Sequence, residues 1–206
     1  MAMQPEKLTQ DPQRGVNETR RGGRPRSAEA DEAILEAACQ LLAEVGFSRM
    51  SMERVARQAG VGKDTLYRRW PSKVALVRDG VLRTAVQAVP VPDTDDPRRD
   101  LAKYLTEVAD FAKTTTFGAI VAGMVGEASR NGEVVSAFRE FVGSRRRSAE
   151  ILLRRAWEAE GSDSPDDVEL ELDLLLGPLY YRLLVSGAPV DADVFDALVT
   201  RLLNRK

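Results

Sequence analysis

The chain has 206 residues and a formal net charge of −2, long enough for one or two domains with a substantial core. One cysteine and no histidine exclude an internal disulfide, metal sites built from histidine or several cysteines, and histidine-based acid–base or triad catalysis. Charge is unevenly placed: residues 20–80 carry 12 Lys and Arg against 8 Asp and Glu, net +4, whereas residues 81–206 carry 16 against 21, net −5. Positive charge therefore gathers in one region, as a nucleic-acid footprint would.

Residues 1–27 are polar and rich in Gln, Pro, Arg and Gly, so the composition predicts a disordered basic arm. No apolar segment of the signal-peptide kind is visible, and the longest apolar run, Phe117 to Val125, is far too short to span a bilayer. We therefore expect a cytoplasmic protein with no membrane partner. Arg24-Pro25-Arg26, beside glycines, is slim and extended, and it resembles the core of an AT-hook. Arg24 and Arg26 are candidates for a narrow minor groove. The alternative is a solvated linker that only adds attraction to phosphates.

A first helix is expected over 28–45, with Asp31 and Glu32 near its start and Gly46 as its stop. Cys39 falls on its apolar side with Ile34, Ala38, Leu41 and Leu42 and reads as core. Ser51 is a good N-cap for a second helix, Val55, Ala56 and Ala59 make its apolar stripe, and Gly60 ends it. A third helix starts at once behind Gly62, with Val61 and Leu66 at the staple positions. Two short helices on so tight a turn make a helix-turn-helix, whose second helix can enter a DNA major groove. Its outward residues are read as Lys63, Thr65, Arg68 and Arg69, with Tyr67 able to reach a phosphate and Asp64 able to accept from cytosine or repel a phosphate. Pro71-Ser72-Lys73 opens a fourth helix over 72–89, whose free N–H groups and Lys73 form a candidate phosphate clamp.

Gly46-Phe47, Ser51, Val55-Ala56, Ala59-Gly60-Val61, Thr65-Leu66-Tyr67, Trp70 and Ser72-Lys73 fall in a pattern that resembles the TetR family of bacterial transcription regulators, over residues 28–80. The resemblance implies that Ser51, Lys63, Thr65, Tyr67 and Lys73 touch DNA. Three positions depart from the pattern. Gly62 replaces the usual serine, Asp64 stands where a small residue or proline is common, and Trp70 replaces phenylalanine as a core residue.

A Pro- and Asp-rich break over 89–97 separates this unit from a region that reads as helices only: 98–113, 117–130, 134–160, 168–186 and 192–204. Gly118, Gly123 and Gly126 are poor helix formers that permit close packing or leave room for a ligand. Arg145-Arg146-Arg147 reads as a solvated face. The fold class is thus all-α, with about nine helices: an arm over 1–27, a helix-turn-helix DNA-binding domain over 28–75, and a helical regulatory and dimerisation domain over 76–206, into which the fourth helix crosses.

The resemblance further implies a homodimeric repressor on a pseudo-palindromic double-stranded operator, released by a small-molecule effector. No cofactor is expected. Candidate pocket residues are Tyr104, Val108, Phe111, Phe117, Met124, Phe138, Phe141, Trp157, Tyr180 and Tyr181, although large apolar residues are buried by default and ordinary core is the first reading of each. The last two helices are the expected subunit seam, through Leu172, Leu175, Leu176, Leu179, Leu198 and Leu202. A helical protein-interaction module and an enzyme are the competing classes. No nucleophile–base pair, metal cluster or phosphate loop supports the enzyme, and Glu107 and Asp110 read as a charged helix face.

Overall fold

The computed structural model describes residues 26–162 and 167–204. Arg24 lies outside them, as does the expected disorder of the arm. Arg26 opens the first helix. Among the described residues there are nine α-helices, one π-helical turn and no strand. Among these residues no helix is long and apolar enough to cross a membrane.

The N-terminal unit is set by its caps. Helix α1 (Arg26–Arg49) breaks at Gly46, whose φ of 74° suits only glycine, and a last turn then carries Phe47 back onto the core. Helix α2 (Met52–Gln58) begins on Ser51, whose Oγ accepts from the Arg54 N–H at 3.3 Å. Gly60 ends it at φ +67°, and the Val61 N–H donates back to the Ala56 carbonyl at 2.9 Å, the bond pattern of a Schellman stop. Helix α3 (Lys63–Arg69) follows two residues later, with Gly62 supplying no side-chain cap. Helix α4 (Lys73–Ala88) is capped by Ser72, which accepts from the Ala75 N–H at 3.1 Å, and runs unbroken past residue 75 as the sequence suggests.

Beyond α4 come α5 (Pro97–Thr114), α6 (Phe117–Ala128), α7 (Gly132–Ala159), α8 (Val168–Tyr181), the π-helical turn Arg182–Ser186 and α9 (Ala192–Leu203). The expected single helix over 168–186 thus changes character after Tyr181. Pro178 supplies no N–H to the helical ladder, and the register widens just after it. The α5–α6 corner explains one glycine: a Cβ on Gly118 would stand 2.4 Å from the Ala112 carbonyl oxygen. Gly123 and Gly126 meet nothing within 4 Å, so close packing does not require them.

Two apolar clusters hold the fold. The first unites α1 to α4 with Phe117, Ile120, Val121 and Met124 of α6 and Val134, Ala137 and Phe141 of α7. The second joins α5, the later part of α7, α8 and α9 around Tyr104, Leu105, Leu152, Leu172 and Phe195. Phe111 and Tyr180 pack against both. The linker before α5 is pinned by buried Asp100, which accepts from the Thr94 N–H at 2.8 Å and the Thr94 hydroxyl at 2.7 Å. Arg155 on α7 stands 3.5 Å away and ties the same linker through the Pro92 carbonyl.

The subunit seam expected on α8 is corrected here. Leu172, Leu175, Leu176 and Leu179 are buried in the chain's own second cluster, as is Leu202. They pack toward α7 and α9, because the helix turns that stripe toward its own domain. The outward stripe of α8 is Leu170, Leu174 and Tyr181, continued by Val185 in the π-turn, all exposed. Leu198 is partly buried and lines a groove with Pro178 and Val194.

Candidate nucleic-acid interface and interior cavity

Helix α3 is seven residues long, and its seating decides which side chains face out. Leu66 is fully buried, Val61 packs beside it, and Trp70 is buried with its Nε1 donating to Asp79 Oδ2 at 3.0 Å. This fixes the helix against α1 and α4 and leaves Lys63, Asp64, Tyr67 and Arg68 exposed, with Thr65 half-buried at the rim. Lys63 reaches Glu53 on α2 at 3.6 Å. Both groups are at least half exposed, so the pair is weak and easily exchanged for a phosphate or a base edge.

Arg69 departs from the expected outward reading. It lies three residues after Leu66, on the same side of the helix. Its Nη1 donates to the Thr65 carbonyl at 3.1 Å and its Nε pairs with Asp31 on α1. Its side chain is only 19% exposed, so Arg69 braces α3 against α1 rather than pointing at a ligand.

Lys73 also does more than its position suggested. Its Nζ donates to the Phe47 carbonyl at 2.7 Å and to the Met50 carbonyl at 3.1 Å, and it lies 4.2 Å from the centre of the Phe47 ring. Burial lowers its pKa, opposed by the nearby Glu127 carboxylate. An ammonium has three donors, so one is left for a phosphate. Ser51, the N-cap of α2, is half-buried beside this knot. Glu127, at the end of α6, accepts from the Ser48 hydroxyl at 2.8 Å. The turn that aims the reader is thus held from two sides, by α4 and by α6.

The interior cavity lies where the two clusters meet. Five expected pocket residues line it: Val108, Phe111, Phe117, Phe141 and Tyr180. It has at most the room that one water molecule needs. Phe111, Phe117 and Phe141 stack through tilted and edge contacts at 5.0 and 5.6 Å. Tyr104 is fully buried just behind, and its hydroxyl faces the lining residue Arg145 at 3.3 Å. The other candidates are corrected. Met124 is ordinary core in the first cluster, Trp157 is core in the second, Phe138 packs on Phe141 outside the lining, and Tyr181 points to solvent at 59% exposure.

Arg145 is the residue that sequence reasoning missed. It is 4% exposed, not on a solvated face. Its Nη2 donates to the Ala85 carbonyl of α4 at 2.7 Å and its Nη1 contacts the Tyr104 hydroxyl. Of its neighbours, Arg146 pairs with Glu169 and Asp173 of α8, and Arg147 is exposed as expected. The signal was present: Arg145 lies four residues after Phe141 and four before Ala149, on the buried stripe of α7.

The chain matches two families over most of its length. Residues 34–79 match the family described as bacterial regulatory proteins, tetR family, and residues 91–202 match the tetracyclin repressor-like C-terminal domain. It is 34% identical over 178 residues to the uncharacterized HTH-type transcriptional regulator YdeS of Bacillus subtilis (strain 168), covering 86% of this chain and 89% of that one. It is 35% identical over 179 residues to the HTH-type transcriptional regulator AqdR of Rhodococcus erythropolis, covering 87% and 86%. Among solved structures, the regulator SCO0332 superimposes with a TM-score of 0.70 at 38% identity, covering 85% of this chain and 97% of that one.

Proposed function

This chain belongs to the TetR family of helix-turn-helix transcription regulators, and from that premise we propose a cytoplasmic homodimer that holds a pseudo-palindromic operator and releases it when a small molecule enters the interior cavity. In this reading residues 28–75 are the reader and 76–206 the regulatory half, with the 1–27 arm beside them. Lys63, Thr65 and Arg68 meet base edges, with Asp64 beside them. Ser51, Tyr67 and Lys73 meet phosphate, while Arg24 in the arm, with Arg26 at the start of α1, approaches the minor groove.

A second copy covers the outward stripe of α8 and the groove on α9. Leu170, Leu174, Tyr181 and Val185 form an exposed apolar surface at helical spacing, with Leu198 beside it, which favours burial against a like surface. Twofold symmetry would then present two reading helices to half-sites about one DNA turn, roughly 34–36 Å, apart.

One observation carries the ligand response. Arg145 lines the cavity and donates to the Ala85 carbonyl of α4, the helix whose other end holds the reader through Lys73. The cavity is tight as it stands, so an effector must displace side chains, and this bond delivers that displacement to α4. The test is operator selection from random duplexes with the full chain, then release measured by gel shift with a library of small molecules. Failure to enrich any inverted repeat would remove the dimeric reading. Enrichment without release by any compound would remove the effector.

A further inference from the structure

The guanidinium of Arg145 is an unusual thing to find inside a narrow apolar cavity. It brings a positive charge with it. Among the described residues no carboxylate lies within ion-pair distance of it. Two neutral oxygens, the Ala85 carbonyl and the Tyr104 hydroxyl, accept from its Nη atoms, and its buried Nε has no hydrogen-bond partner. A buried charge held this way is costly to keep.

A second unused donor lies beside it. The Tyr180 hydroxyl is buried in the same lining and has no partner. Burial pushes its pKa up to about 12, partly offset by the nearby Arg145 charge, so the hydroxyl stays protonated and able to donate. The cavity therefore offers one positive charge and two unmet donors. The rest of its lining is apolar and aromatic, Val108, Phe111, Phe117 and Phe141 among it.

We propose that the effector is an organic anion, an apolar body carrying one carboxylate, with the carboxylate seated on Arg145 and Tyr180 and the body between the phenylalanines. The proposal rests on the ligand-responsive reading above and gives it a chemical class. A carboxylate is acceptor-only and planar, and it matches a guanidinium edge with two parallel bonds. A neutral molecule would fill the apolar part but leave the charge uncompensated.

The test uses the full-length protein and matched ligand pairs: phenylacetate, 4-phenylbutanoate and decanoate, each against its neutral amide, with acetate and chloride as body-free anions. Binding is read by titration calorimetry. We expect at least one acid to bind at least tenfold tighter than its amide, and acetate to bind no better than chloride. Arg145→Met should abolish the preference and Tyr180→Phe should reduce it. Circular dichroism checks the fold, and Arg145→Gln, which keeps donors without charge, carries the comparison if Arg145→Met does not fold. Four results would overturn the proposal: equal binding of acid and amide, a preference that survives loss of the Arg145 charge, acetate binding as tightly as the larger acids, or no acid binding at millimolar concentration. Operator release is scored separately. Release by neutral compounds alone defeats the anion proposal and leaves ligand response standing. Tight, Arg145-dependent binding of an acid without release establishes the anion site but defeats the ligand response, and with it the acid's role as effector.

Discussion

Lys73 Nζ stands 2.7 Å from the Phe47 carbonyl oxygen and 4.2 Å from the centre of the same residue's ring, so one side chain of α4 grips both the backbone and the face of the residue that follows the Gly46 break. This separates two residues that the sequence treats alike. Lys73→Ala removes two charge-assisted bonds and should lower folding stability by about 1–2 kcal/mol, besides weakening binding to every duplex. Tyr67→Phe removes only an exposed hydroxyl and should weaken all duplexes alike while leaving stability unchanged. Urea unfolding and binding to random duplex decide both; a fully stable Lys73→Ala protein would show that the two carbonyls do not need it.

Lys63 sits at the first position of α3 with only a weak tie to Glu53. We predict that Lys63→Ala lowers operator affinity by about 1–3 kcal/mol and relaxes preference at one base position in each half-site. Wild type and mutant are compared on the operator, on single-base variants and on random DNA across a salt series. An equal loss on all three sets would assign Lys63 to phosphate and leave Thr65 or Arg68 as the reader.

The two faces of α8 should answer differently to the same kind of change. Leu174→Glu places a charge on the outward stripe and should give a folded monomer, seen by sedimentation at micromolar concentration. Leu175→Glu places an unpaired charge in the second cluster and should unfold the chain, at a cost of about 3–5 kcal/mol. A Leu174→Glu protein that still sediments as a dimer would move the seam elsewhere.

Asp100 links stability to acid pH. Burial alone would raise its pKa, but the Thr94 amide and hydroxyl and the Arg155 charge together hold it below the ordinary aspartate value near 3.8. A folded pKa below the unfolded one means that the contribution is complete above that ordinary value and is lost as pH falls through the depressed one. Asp100→Asn should therefore cost about 1–3 kcal/mol at neutral pH and flatten the acid limb of the stability curve. Urea midpoints from pH 2 to pH 7 measure it, and parallel curves for mutant and wild type would refute it.

Much of the reader was legible, because caps and stops act locally. Ser51, Gly60, Gly62 and Ser72 each specify a helix end with their own backbone or hydroxyl, whatever packs above them. Side-chain direction was less legible, since it depends on the neighbouring helix. The charge of Arg69 points to solvent in the sequence, but its three-residue offset from Leu66 puts it on the seated side of α3. A triple-arginine run suggests solvent, whereas the period of α7 places its first member, Arg145, inside. On leucine-rich α8 both stripes are apolar, and only the positions of α7 and α9 show which one the chain keeps for itself.

The cluster that supports α1 to α4 also contains Ile120, Val121 and Met124 of α6. For anyone assembling hybrid sensors, this makes the reading head a poor cassette. A chimera joined at residue 75 would set a foreign α6 against an α1 surface shaped by those three side chains, and would also lose the Glu127 acceptor for Ser48. Retargeting to a new operator is better done by exchanging the exposed positions of α3, Lys63, Asp64, Tyr67 and Arg68, which contribute little to that cluster.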